Sequence, residues 1–349
     1  MHRRGRVAVA LVLAVMSALV PFGPSQTSAQ SSALNLTTSP LPINLVTTPG
    51  ETVTADLRVK NSGTAVEQLK VGLLKFGAND LSGQPRLAER ETGDDYFDWV
   101  SFSQDRFTAE PNVWHTIKMT MKVPAEGALG YYYAVTFQRA NETNDTDQGA
   151  SLEGGTAVLV LLEVRVPGAK RAIELAEFKS GKGVFEFLPA DFTVTLKNSG
   201  NIHLIPSGSI YITRGDDQIA VLEVNDARGN ILPNSSRNFT AAWNEGFPSY
   251  QEVEIDGAIA KNEDGTPKKS LKWDLSQTGK LRFGKYTATA LIVYDDGERD
   301  IPVEAVLTFW VIPWRILGVV LLILSLMGLA AFVIVRSMVK FGRRVRPKK

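Results

Sequence analysis

Thr52-Val53-Thr54-Ala55-Asp56-Leu57-Arg58-Val59-Lys60 is the stretch of this chain that decides its fold. Val53, Ala55, Leu57 and Val59 fall on one side of an extended backbone. Thr52, Thr54, Asp56, Arg58 and Lys60 fall on the other. A period of two, rich in β-branched residues, belongs to a strand with one face buried and one in water. Pro49-Gly50 punctuates it before and Asn61-Ser62-Gly63 after, both turn formers.

The same grammar spreads in both directions. Residues 116–123 set Ile117, Met119, Met121 and Val123 against Thr116, Lys118, Thr120 and Lys122. Residues 131–137, 156–166, 192–197, 286–294 and 303–311 are further strands. Pro111-Asn112, Asn198-Ser199-Gly200 and Asp296-Gly297 supply turns between them. No amphipathic helix is predicted in this region. Many short strands with regular punctuation predict an all-β ectodomain of two tandem Ig-like β-sandwiches. Val59-Lys60-Asn61-Ser62-Gly63 recurs as Leu196-Lys197-Asn198-Ser199-Gly200, and Gly130-Tyr131 is echoed later by Gly284-Lys285-Tyr286. Two features repeated in one order point to a duplicated sandwich. Val166-Pro167-Gly168 divides the units, giving sandwiches at 30–168 and 169–312.

Both ends of the chain are apolar. Arg3, Arg4 and Arg6 precede a short apolar run over 7–20, and Thr27-Ser28-Ala29 offers a cleavage site. Residues 1–29 therefore predict a secretory signal peptide. Near the other end, residues 316–335 carry no charge. At 1.5 Å per residue they extend about 30 Å, the thickness of a bilayer's hydrocarbon. One transmembrane α-helix is predicted at 313–336, with Trp310 and Trp314 at the membrane interface. Arg336, Arg343 and Arg344 belong to a basic stretch free of acids, which predicts a cytoplasmic tail at 337–349 and an extracytoplasmic bulk. No Leu-Pro-x-Thr-Gly precedes the helix, so it is expected to be a retained anchor holding membrane lipid rather than a sortase signal.

The chain has 349 residues, with 38 basic and 37 acidic, and this balance gives no reason to expect nucleic acid as a partner. It has no cysteine, which excludes thiol catalysis and thiolate metal sites and fits a bacterial or archaeal surface. Of three histidines, His2 belongs to the predicted signal; His115 and His203 have no neighbour at metal-ligand spacing. No nucleophile elbow, P-loop or dinucleotide fingerprint is present. No enzyme activity and no cofactor are expected. Asp295, Asp296, Glu298 and Asp300 form an acidic turn without EF-hand spacing. Arg214-Gly215-Asp216 is explained by a hairpin turn. Asn-x-Ser/Thr sequons begin at Asn35, Asn141, Asn144, Asn234 and Asn238.

Several short runs in order carry a family likeness. They are Leu41-Pro42-Ile43-Asn44-Leu45, Pro49-Gly50-Glu51, Leu57-Arg58-Val59-Lys60-Asn61, Trp99-Val100-Ser101-Phe102, Phe107-Thr108-Ala109-Glu110-Pro111 and Val123-Pro124-Ala125. Asn198-Ser199-Gly200-Asn201-Ile202-His203-Leu204 and Pro206-Ser207-Gly208 follow in the second unit. With its signal, anchor and basic tail, the layout resembles the WxL-interacting protein family of Gram-positive bacteria. The resemblance implies a first Ig-like domain that binds peptidoglycan and a second that binds a host.

Trp114 and Tyr132 are the binding candidates, because the strand phases turn both outward, where aromatic rings stack on sugars or pack on a partner unless a long loop covers them. The long connections 77–98 and 244–277 are either binding loops or excursions with short strands of their own. These readings give a non-enzymatic, membrane-anchored surface protein that tethers peptidoglycan or another cell-wall polymer, or exported surface proteins. The alternative is a chaperone-like assembly factor that takes strands of exported subunits at an open sheet edge. A surface hydrolase would need paired carboxylates assembled by the fold.

Overall fold

A computed structural model of the chain describes residues 34–140, 155–255 and 257–344, with side chains as far as Met338. The predicted signal peptide, the sequons at Asn141 and Asn144, the end of the tail, and the side chains of Arg343 and Arg344 lie outside the described residues.

The first group of strands is β1 (Leu36–Ser39), β2 (Ile43–Thr47), β3 (Thr52–Asn61), β4 (Glu67–Ala78), β5 (Pro85–Ala88), β6 (Val100–Phe102), β7 (Arg106–Ala109), β8 (Trp114–Lys122), β9 (Leu129–Arg139) and β10 (Gly155–Val164). They make one sheet in the order β1-β3-β8-β6 and a second in the order β2-β10-β9-β4-β5, with β7 also on β4. The pleat of β3 places Ala55, Leu57 and Val59 inside and Thr54, Asp56 and Arg58 outside. β8 answers in antiparallel register, with Leu57 opposite Ile117 and Ala55 opposite Met119. Tyr133, Val135 and Phe137 of β9 and Val158, Val160 and Leu162 of β10 complete the buried interior.

The second group is β11 (Ile173–Ser180), β12 (Val184–Phe185), β13 (Ala190–Asn198), β14 (Ser207–Arg214), β15 (Asp217–Val224), β16 (Ser236–Trp243), β17 (Ser249–Glu252), β18 (Glu254–Ile255), β19 (Ala258–Ile259), β20 (Lys269–Lys272), β21 (Gly284–Asp295) and β22 (Asp300–Val311). Its main sheets run β11-β13-β16 and β12-β22-β21-β14-β15. Phe192, Val194, Trp243, Tyr286 and Phe309 pack between them in one apolar cluster. Tyr286 and Phe309 stack with centroids 5.7 Å apart, and Trp243 meets Tyr286 edge-on at 5.1 Å. Among the described residues no sheet takes strands from both groups. One apolar α-helix, α1 (Trp314–Arg344), closes the chain, and residues 314–338 are long and apolar enough to cross a membrane. Only Ile312 and Pro313 separate it from β22.

The two groups share a wiring plan. In each, a first strand belongs to one sheet and a second crosses to pair in parallel with the last strand, β2 with β10 and β12 with β22. The repeated Asn-Ser-Gly ends β3 and β13, the third strand of each group. Asn61 Nδ2 donates to Ala65 O at 2.7 Å and Ala109 O at 2.9 Å, while Gly63 N donates to its Oδ1. Asn198 repeats the pattern with Ile202 O, Ile231 O and Gly200 N. The sequence repeat therefore marks, in each group, a buried amide that ties a turn to a distant segment, the end of β7 for Asn61 and the β15–β16 connection for Asn198. A Cβ at Gly200 would meet the backbone of Lys170 and Ala172, so this turn requires glycine.

Both long connections fold onto the strands. In the first, a 3-10 turn at Asp95–Trp99 lays Tyr96 against Tyr131 and Tyr133, with centroids 5.3 and 5.4 Å away. Arg90 clamps Asp98 with two 2.6 Å bonds, and Lys75 holds Asp94 at 2.9 Å. The second connection carries the short ladders β17 with β20 and β18 with β19. Of the two readings left open by the sequence, the excursion with its own short strands is the one observed.

Candidate functional site

Trp114 and Tyr132 do not meet. Trp114 stands on the outer face of the β3–β8 pair, opposite Lys60. Tyr132 stands on the outer face of the other sheet, since its neighbour Tyr133 fills the interior. The strand phases were legible, but the two rings leave opposite faces of one sandwich and cannot share a ligand.

Neither ring is free. The Arg58 guanidinium lies 4.8 Å from the Trp114 ring centre and the Lys60 ammonium 5.4 Å, so cations cover an indole that is 38% exposed. A sugar stacking there has to displace them. Arg58→Ala is expected to cost about 0.5–1 kcal/mol of stability, the usual range for an exposed cation–π contact. Chemical unfolding of the full chain in detergent measures it, and a loss beyond about 2 kcal/mol would mean a larger structural role than this contact explains.

Tyr132 points outward, as its strand phase predicts, and is half-buried there. Its ring sits 5.8 Å from Phe76 and 5.7 Å from His203. Phe76, Leu74, Ala134 and Leu161 form an apolar patch on this sheet, and Leu232 of the second group packs on it. Burial pushes the Tyr132 phenol well above its ordinary range. The same burial holds His203 down at about 4. Glu163, on β10, is paired with Arg171 across this seam. Leu81 O accepts from Asn238 N at 2.7 Å. Gly83, at φ +75°, lies where a Cβ would strike the Arg237 guanidinium. A cleft lined by Gly77, Gly83, Pro85, Asn230, Leu232 and Arg237 among others opens between these elements.

The acidic turn caps itself. Asp295 Oδ1 accepts from Gly297 N, and Asp296 Oδ1 accepts from Glu298 N and Arg299 N. Those backbone donors hold the Asp296 carboxyl below its usual range. His115 Nε2 lies 3.1 Å from Glu110 Oε2, and its ring 5.4 Å from Phe107. Arg214-Gly215-Asp216 forms the turn between β14 and β15, with Arg214 opposite Asp217. Among the described residues no three His, Cys, Asp or Glu side chains converge on a metal position. Trp310, near the end of β22, is 44% exposed, Trp314, the first residue of the apolar helix, is 52% exposed, and Arg336 is exposed on that helix.

One feature of the backbone was not singled out from sequence. β10 pairs with β9 along its whole length, from Gly155 to Val164. On its other side β2 covers only Val160 to Val164. β1, the strand preceding β2, bonds to β3 in the opposite sheet. Among the described residues, 155–159 therefore have a ladder on one side only. β22 repeats this, because β12 reaches only Trp310 and Val311. The signal was present in Ser39-Pro40-Leu41-Pro42, whose prolines break the strand where it changes sheets.

No protein-family model matches the chain, and no curated protein does. Solved structures do. The class 5 fimbriae chaperone CfaA is 12% identical, with a TM-score of 0.35 over 77% of this chain and 98% of its own. The CupB2 chaperone of Pseudomonas aeruginosa is 9% identical, with a TM-score of 0.31 over 77% of this chain and 98% of its own. The CsuC–CsuE chaperone–tip adhesion subunit complex of Acinetobacter baumannii is 11% identical, with a TM-score of 0.32 over 59% of this chain and 89% of the matched chain. At these values the likeness assigns no residue and no partner.

Proposed function

We propose that the chain is a non-enzymatic, single-pass membrane protein of two tandem sandwich units, with its bulk outside the cytoplasm, that holds an extended segment of another exported protein. The observation that supports this reading best is the half-open strand β10. Among the described residues, the side of 155–159 away from β9 has no ladder partner and offers an edge for one more strand. Val158 is fully buried and Leu159 half-buried, so an added strand with alternating apolar residues finds apolar neighbours on both faces. The basic residues that follow the apolar helix favour a cytoplasmic tail. Confinement to a membrane raises the local concentration of a modest edge site toward partners leaving that membrane.

Hydrogen exchange tests it. Full-length protein in detergent is mixed with a soluble twelve-residue peptide of alternating apolar and polar residues. The expected result is slowed exchange over 155–159, absent with a peptide carrying proline at every apolar position. No change over 155–159 at millimolar peptide would end this reading.

A second reading has its own observation. The outer face of β3 and β8 presents Arg58, Lys60, Lys118 and Lys122 against the single acid Asp56. That cationic face suits an anionic cell-wall polymer, the partner the WxL-interacting resemblance implies. Cosedimentation with purified cell wall separates the readings. Loss of sedimentation in Lys118→Glu/Lys122→Glu would favour the polymer, and failure to sediment at all would remove it.

A further inference from the structure

The second long connection leaves a set of apolar side chains in solvent that no strand packing explains. Trp273 is 56% exposed and Leu275 73%, and Leu281 and Phe283 are exposed beside them. Scattered apolar residues on a surface are ordinary, whereas four in eleven residues on one excursion are a patch. Lys268, Lys269, Lys272, Lys280 and Arg282 are interleaved with them over residues 266–283, against one acid, Asp274.

The patch is continuous with the start of α1. Arg315, in the first turn of that helix, lies 3.3 Å from Glu186 Oε1. The Tyr250 hydroxyl is 3.4 Å from Glu186 Oε2. Next to Glu186, the Phe187 ring lies 6.2 Å from Tyr250 and 6.4 Å from Trp273. Phe247 braces Trp273 from another side at 5.9 Å. Trp310 of β22 is exposed next to Val184 of β12, and Val184 is exposed as well. A chain of contacts thus runs from the helix to Trp273 without a gap.

We infer that residues 266–283 lie on the anionic phospholipid surface of the same bilayer that holds α1. This rests on the reading that α1 spans that bilayer. Trp273, Leu275, Leu281 and Phe283 enter the boundary between headgroups and chains, and Lys268, Lys269, Lys272 and Lys280 meet phosphate and other anionic headgroups, while Arg282 stays on the Trp243 ring and Glu245. Asp274 caps its own turn by accepting from Ser276 N and Oγ. The connection then serves as a foot that fixes the tilt of the second unit over the membrane, which a two-residue link to α1 alone does not.

The absence of cysteine makes the test direct. Single cysteines replace Leu275, Leu41 and Leu324, one per protein, and each carries an environment-sensitive fluorophore. The full chain is placed one copy per nanodisc, in phosphatidylcholine alone or with phosphatidylglycerol added. The label at 324 reports the anchor, and the label at exposed Leu41 reports open water. Expected is shielding of 275 from an aqueous quencher by about fivefold relative to 41, in the phosphatidylglycerol discs. Lys268→Gln/Lys269→Gln/Lys272→Gln should remove most of that shielding. If 324 is shielded while 275 quenches like 41, the foot is refuted and the anchor stands. If 324 itself quenches like 41, the anchor reading fails and takes the foot with it. Shielding of 275 that is equal in both lipids refutes the anionic headgroup, and shielding that requires two copies per disc assigns the patch to a second copy instead.

Discussion

Asn198→Ala is expected to lower the unfolding free energy by about 4 kcal/mol, since each buried polar group left unpaired costs about 1–3 kcal/mol. The side chain is fully buried. Its Nδ2 donates to Ile202 O at 2.8 Å and Ile231 O at 2.9 Å, and its Oδ1 accepts from Gly200 N at 2.8 Å. Alanine strands Ile202 O and Gly200 N where water has no access, while Ile231 O keeps its bond from Leu204 N. Asn198→Asp separates the contributions, because it keeps the acceptor, loses the donor and places charge beside two carbonyls. It is expected to cost at least as much as alanine. Asn61→Ala should cost less, because of its three partners Ala109, Ala65 and Gly63 the last two lie at the surface, where water takes over their bonds. The measurement is the urea midpoint of the full chain in detergent, followed by tryptophan fluorescence. A loss below about 1 kcal/mol at Asn198 would show that water or a shifted turn replaces these bonds, and the repeat would then be turn grammar alone.

These asparagines also show what was legible. Their recurrence was visible in the sequence, as were the strands ending on them, because one face of β3 meets water and keeps its alternation. β4 was not visible. Its Leu69-Lys70-Val71-Gly72-Leu73-Leu74-Lys75-Phe76 mixes phases because both faces are covered, one by the sandwich interior and the other by residues of the second group. The same cover hid the fate of Tyr132, whose outward phase was correct but whose neighbours His203 and Leu232 lie far along the chain. A local sign of that seam existed in Glu163, a lone carboxylate inside the apolar run 157–164. A charge in such a run is tolerated only with a partner, and Arg171 is that partner. The open side of β10 had no sign in its own residues, because it depends on where β2 stops and on which sheet β1 joins.

His203 carries the second large effect. Burial in the seam holds its imidazole at about 4, well below the 6.5 of a free histidine. Glu163 pulls that value up and Arg171 pushes it down, and both are weaker than desolvation. The folded chain therefore keeps His203 neutral through a pH range in which the unfolded chain takes up a proton. Stability from this group is full above about pH 6.5, falls as pH drops toward 4, and changes no further below 4. The difference of two to three pH units corresponds to about 3 kcal/mol at 1.36 kcal/mol per unit. His203→Phe isolates the contribution. It keeps an aromatic ring against Tyr132, 5.7 Å away, and gives up no hydrogen bond at Nδ1, which is buried without a partner among the described residues. Carboxylates titrate in the lower part of the same window, but they act alike in both proteins and cancel in the difference. Urea midpoints at pH 7 and pH 4 should thus show the variant gaining about 3 kcal/mol on the parent as pH falls. Parallel curves would mean that water reaches the imidazole, and the Tyr132–His203 contact would then be a loose apposition rather than a closed joint. A closed joint makes the half-open side of β10 a rigid template, since the sheet that carries it is backed on its outer face by the second group of strands.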